Sequence, residues 1–176
     1  QPQHQGRHGQ KGWGIALKDR RLLTYLAVNI LITTYLAQLS STLPLFFKNF
    51  ARQGLGFNDI TISTLFAWHL GLTILLQLPI AKLLRPYRPA QALLVSLILW
   101  GTGFGMIWAC GAVPAGGLIW GVLGLGLFAI ATVSYIPTAS ALVVALAPES
   151  LRGIYLSLNS QCWAIGYLLG PALGGL

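Results

Sequence analysis

Residues 118–146 read Leu-Ile-Trp-Gly-Val-Leu-Gly-Leu-Gly-Leu-Phe-Ala-Ile-Ala-Thr-Val-Ser-Tyr-Ile-Pro-Thr-Ala-Ser-Ala-Leu-Val-Val-Ala-Leu, with no Asp, Glu, Lys, Arg or His in the run. A helix needs about 20 mostly apolar residues to cross a bilayer's hydrocarbon core. This run exceeds that length, so tilt or projection beyond the core is expected. Gly124-Leu-Gly126-Leu-Phe-Ala129 within it matches a dinucleotide fingerprint in letters only. That fingerprint needs a preceding strand and a water-exposed helix start. In a membrane helix the glycines serve close helix approach instead, as at Gly117/Gly121 and Gly101/Gly105 in small-xxx-small spacing.

Four further runs flank it, and the sequence predicts spans at 22–47, 60–84, 92–113, 118–146 and 154–176. The first is too long for the apolar region of a signal peptide. Composition agrees, since 55% of the 176 residues are hydrophobic and 8% are charged, against roughly a quarter charged in soluble domains. Basic excess is also the footprint of nucleic-acid binders. Here no basic residue lies between Arg88 and Arg152, and the basic residues gather at the ends of apolar runs, so no nucleic-acid partner is expected.

Lys and Arg collect on cytoplasmic loops. Arg7, Lys11, Lys18, Arg20 and Arg21 precede the first span, Lys82, Arg85 and Arg88 follow the second, and Arg152 follows the fourth. The opposite connections hold only Lys48 and Arg52. The N-terminus is therefore expected in the cytoplasm. Residues 1–21 read as a polar tail, and from Trp13 to Leu23 as a short amphipathic segment at the interface with its basic residues near lipid phosphates. His4 and His8 lack a third fixed ligand and read as part of a solvated tail, so no metal is expected; no cofactor is expected either. Cys110 and Cys162 read as small core residues.

Connections as short as 114–117 and 147–153 make neighbouring helices antiparallel and packed. Asn58-Asp59 caps the second helix, and Pro148-Glu149-Ser150 is expected to serve the fifth in the same way. The chain ends on an apolar helix without a cap, so it reads as truncated at its C-terminal end. No Ser/His/Asp arrangement or buried acid supports catalysis, and no enzyme is expected.

Polar side chains inside apolar spans are costly and tend to face a cavity or a partner helix. The candidates for a substrate cavity are Asn29, Thr33 and Gln38 in the first span, His69, Thr73 and Gln77 in the second, Thr132, Tyr135 and Thr138 in the fourth, and Asn159 in the fifth. Ser and Thr can instead bond back to their own helix carbonyls. His69 reads more readily as a bridge between helices than as a proton relay.

Gly166-Tyr-Leu-Leu-Gly170-Pro171-Ala-Leu-Gly174-Gly175 closes the chain, and Gly166, Gly170 and Gly174 recur every four residues on one helix face. A partner helix must press on that face. The segment resembles the fifth-helix signature of drug/proton antiporters of the major facilitator superfamily, with Ser157 in place of the first glycine, and Arg152-Gly153 resembles the pair that opens that helix. The connection Pro79-Ile-Ala-Lys-Leu-Leu-Arg-Pro-Tyr-Arg88 keeps the basic residues of the family's cytoplasmic latch without its acid, and the antiporters' buried Arg in the fourth helix has no counterpart. Latch candidates are Lys82, Arg85, Arg88 and Arg152.

The resemblance implies an all-α membrane bundle with five transmembrane helices of an expected twelve. It implies a secondary carrier in the inner (plasma) membrane that moves a small-molecule substrate by alternating access, in the efflux direction. Its partners would be the lipid bilayer and the missing C-terminal half of the same chain, which in that family supplies the helix against the glycine face. A scaffold or assembly factor on the same architecture is the alternative.

Overall fold

A computed structural model describes residues 12–174. Among them there is no strand, and five long helices follow one another: α1 Arg20–Ser40, α2 Asp59–Leu84, α3 Pro89–Ala112, α4 Gly117–Leu146 and α5 Arg152–Gly174. By length and composition α1 to α4 can each cross a membrane. The 23 residues of α5 extend about 35 Å, but Ser157, Asn159, Ser160 and Gln161 in its first half make it less apolar. His4, His8, Arg7, Lys11 and Gly175 lie outside the described residues.

Caps follow the local sequence. Asp19 Oδ1 accepts the Arg21 and Leu22 amides at 2.9 and 3.4 Å and starts α1. Asn58 Oδ1 accepts the Thr61 amide at 2.7 Å and starts α2 as expected. Pro148-Glu149-Ser150 behaves differently. Pro148 makes no side-chain cap, Glu149–Leu151 is a 3-10 turn, and α5 begins at Arg152.

The first apolar run is not one helix. It stops at Ser40 and resumes as a separate helix, Thr42–Asn49. Pro44 has no amide to bond residue 40, and its ring would crowd that carbonyl. The hydroxyls of Ser40 and Ser41 both take the Ala37 carbonyl at 3.0 Å, competing with the helical ladder.

The described residues form two compact units, 12–42 with 140–174, and 43–139. In the first, α1 packs along α5. The two run parallel, because Tyr25 and Asn29 meet Asn159, Thr33 meets Gly166 and Ala37 meets Gly170 in register.

In the second unit α3 and α4 cross where Gly103 faces the Phe128 ring and Gly124 faces Ile107. Trp100 stacks on Phe128 at 4.7 Å between ring centres, and Phe104 meets the same ring edge-on at 4.8 Å. The expected small-residue contact at Gly101 and Gly105 is not made, since nothing lies within 4 Å of either Cβ position. Gly103 is two residues from each, about 200° around the helix, and the face it shares with Trp100 and Ile107 is the one that packs. The connection into α2 carries left-handed backbone at Arg52, Gln53, Gly54 and Gly56. Gly56 is obligatory there, because a Cβ would collide with the Lys48 carbonyl oxygen.

Candidate functional site

Two sets of polar side chains emerge, one in each unit. The first is a seam along the α1–α5 pair. On α1, Tyr25, Asn29, Thr33 and Ala37 recur every four residues, and on α5, Tyr155, Asn159, Cys162, Gly166 and Gly170 follow the same helical face; all are buried. The Asn159 Oδ1 atom accepts from the Tyr25 hydroxyl at 2.8 Å and from Asn29 Nδ2 at 3.0 Å. One turn on, the Thr33 hydroxyl donates to the Cys162 carbonyl at 2.8 Å, with its own helix carbonyls at Asn29 and Ile30 nearly as close.

Above these bonds the glycines take over. A Cβ on Gly166 would clash with the Thr33 hydroxyl and lie 2.6 Å from Thr33 Cβ, one on Gly170 would lie 2.5 Å from Ala37 Cβ, and one on Gly174 would run into the Thr42 hydroxyl. Gly166 and Gly170 thus meet α1 of this chain, and Gly174 meets the start of the helix that follows it. The residues opposite these glycines, Thr33 and Ala37 on α1 and Thr42 at the start of the helix that follows it, are small enough to let two backbones touch. Pro171, at the exposed side of α5, takes no part in the contact.

Asn29, Thr33 and Asn159 were expected to line a cavity. In the structure their polar atoms face each other between two helices, because an amide in an apolar span satisfies itself most readily on another amide. Gln38, one residue beyond Ala37, is half-buried. Sequence reasoning passed over Tyr25 and Tyr155, although each sits four residues from an Asn it should have been grouped with. Tyr155 is 1% exposed and donates to Asp19 Oδ2 at 2.8 Å. That hydrogen bond, with the amides of Arg21 and Leu22, holds the Asp19 carboxyl below its usual range against the opposing effect of burial.

The second set lies on α2 and α4, which also run side by side. Trp68 Nε1 donates to the Val122 carbonyl at 3.2 Å, and His69 Nδ1 sits 3.0 Å from the Leu125 carbonyl. A carbonyl only accepts, so Nδ1 carries the hydrogen. His69 therefore bridges two helices. Thr73 bonds back to the His69 carbonyl at 2.8 Å, and Thr138 to Ser134 at 2.6 Å. Tyr135 is fully buried and Gln77 is exposed.

Thr132 differs from the other hydroxyls, with its buried Oγ1 bonded to nothing among the described residues. Toward the other end of α4 a groove of about 400 Å³ opens between it and α2, lined by Ile60, Thr61, Thr64, Leu65, Trp68, Leu118 and Val122. Its walls are almost wholly apolar. Of the latch candidates, Arg152 reaches Glu149 at 3.6 Å, an exposed pair of small energetic weight. Arg88 caps α3, its amide donating to Gln91 Oε1 at 3.2 Å. Lys82 and Arg85 are exposed at the end of α2.

The profile of the Major Facilitator Superfamily matches residues 22–176, which takes in all five long helices but for the first two residues of α1. The chain belongs to that superfamily. Its members are secondary transporters and not enzymes, so this multi-pass membrane protein is a transporter at that level. No characterised protein and no solved structure matches it. The match lends the α1–α5 seam a context, as a helix pair within a superfamily bundle.

Proposed function

We propose that this superfamily member exports a small uncharged or cationic-amphipathic solute by alternating access, with α5 as a fifth span and α1 and α5 moving as one piece. The carrying observation is the α1–α5 seam, in which three side-chain hydrogen bonds and two glycine contacts, at Gly166 and Gly170, bind two parallel helices along their length. Rocking of helix bundles about a midplane site requires elements that move without deforming. A pair joined this closely meets that requirement.

The solute class follows from charge. No Asp, Glu, Lys or Arg lies within 22–47, 60–81, 92–146 or 154–174, so nothing there neutralises an anion. Hydroxyls, amides and aromatic rings remain, including Gln38, Trp68 and Gln77. The antiporter-like glycine run at Gly166, Gly170, Pro171 and Gly174 supports the efflux direction.

Energised everted vesicles containing the protein should accumulate a cationic-amphipathic dye. Gly170→Leu should insert normally and accumulate little. Equal accumulation by vesicles with and without the protein, over a panel of such dyes and of neutral analogues, would overturn the substrate class. A Gly170→Leu variant that transports like the parent would overturn the role given to the helix pair.

A further inference from the structure

The segment that precedes α1 is held on one side and open on the other. Residues 12–16 form a helical turn in which Gly12 and Ala16 are buried. Gly12 lies against the start of α5, where a Cβ would come within 2.6 Å of Ile154 and 3.0 Å of Leu151. Asp19, at the other end of the segment, is tied to the same helix through Tyr155. The segment is thus clipped to the first turn of α5 at two points.

Its free side carries two kinds of side chain. Trp13, Ile15, Leu17 and Leu23 are 41%, 56%, 52% and 40% exposed. Lys18, Arg20 and Arg21 are exposed among them. The one acid of the segment, Asp19, already accepts two amides and a hydroxyl, so three cations face outward. Trp13, Ile15 and Leu17 come before the first residue of α1, so they lie outside any span and at its end. Apolar and aromatic side chains beside basic ones, at the end of a membrane helix, match the boundary where acyl chains give way to headgroups.

We propose that residues 12–23 form a docking surface for anionic phospholipid headgroups, with Lys18, Arg20 and Arg21 on the phosphates and Trp13, Ile15 and Leu17 seated in the acyl boundary. Because the segment is clipped to α5, headgroups bound there press the start of α5 onto the start of α1. The inference does not depend on the transported solute or the direction of transport.

The test uses the protein in vesicles containing lipids with brominated acyl chains, which quench tryptophan on contact. The Trp13 signal is the difference between the parent and Trp13→Phe. At equal mole fraction and low salt, a brominated anionic lipid should quench Trp13 more strongly than a brominated zwitterionic one. Screening should narrow the gap as salt rises. Replacing Lys18, Arg20 and Arg21 by Gln should lower the local preference for the anionic lipid about tenfold or more. Equal quenching by the two lipids in the parent would overturn the headgroup recognition. No quenching by either would show that Trp13 is covered by protein and not by lipid, and would overturn the docking surface altogether.

Discussion

Gly170→Ala adds one methyl group at a point where the α1 and α5 backbones approach closely. Its Cβ would lie 2.5 Å from Ala37 Cβ and 2.9 Å from the Thr34 carbonyl oxygen. Carbon atoms pack at about 3.5–4.0 Å, so the helices must part by about 1 Å or more. The Thr33–Cys162 and Asn29–Asn159 bonds, now 2.8 and 3.0 Å, would stretch past hydrogen-bonding range if they opened by the same amount. Overpacking of a well-filled contact costs about 1–3 kcal/mol, and interhelical hydrogen bonds in membranes average about 0.6 kcal/mol. Together they place the loss at about 2–4 kcal/mol.

Gly101→Ala is the matched comparison, since nothing lies within 4 Å of its Cβ position. There the gain in helix propensity should leave stability unchanged or raise it by up to about 1 kcal/mol. Reversible denaturant unfolding of both purified variants in mild detergent measures the difference. If Gly170→Ala unfolds within about 0.5 kcal/mol of the parent, the close approach carries no stability and the reasoning fails.

Asn159→Ala leaves the Tyr25 and Asn29 donors without their shared acceptor, and should cost about 1–2 kcal/mol in the same unfolding measurement, more than Thr33→Val. His69→Gln keeps a donor toward Leu125 and should change stability by less than about 1 kcal/mol; solute flux measured across pH should keep the parent's profile. Asp19 has a folded pKa below its unfolded one, so its stabilisation is complete above about pH 4 and is lost as pH falls through the folded value. The stability gap between the parent and Asp19→Ala should therefore be flat from neutral pH down to about 5 and shrink in more acid buffer. With Cys110 and Cys162 replaced by Ser, an impermeant thiol reagent added outside should label cysteines placed at Gln53 and Ala115 and spare those at Arg88 and Ser150; the reverse pattern would invert the orientation.

The spans were legible because apolar length is a property of one segment at a time. Asn58 was legible as a cap for the same reason, the bond to Thr61 being three residues away. The break at Ser41 was not, although Ser40, Ser41 and Thr42 stand just ahead of Pro44, because the apolar residues on both sides add up to one span-length run. Partnership was harder still. Asn29 and Asn159 announce that they need company, but their polarity is equally consistent with a cavity, and only the register of two helices 130 residues apart turns them toward each other. Gly101 and Gly103 look alike in a sequence, and the difference between open space and a Phe128 ring is which side of α3 finds a neighbour. The glycine run at the end of the chain was legible as a contact face and not as the face that meets α1.

The contacts that fasten α1 to α5 join residues 129, 130, 134 and 136 positions apart. A ribosome adding about 5–20 residues per second needs on the order of ten seconds to make that intervening chain. For that interval α1 has left the tunnel carrying Asn29 and Thr33, and the surface that will accept them has not been synthesised. The nascent helix must be kept beside the insertion machinery, or shielded by the helices that arrive before α5, until its partner emerges. Its biogenesis is governed by a waiting time written into the order of the chain.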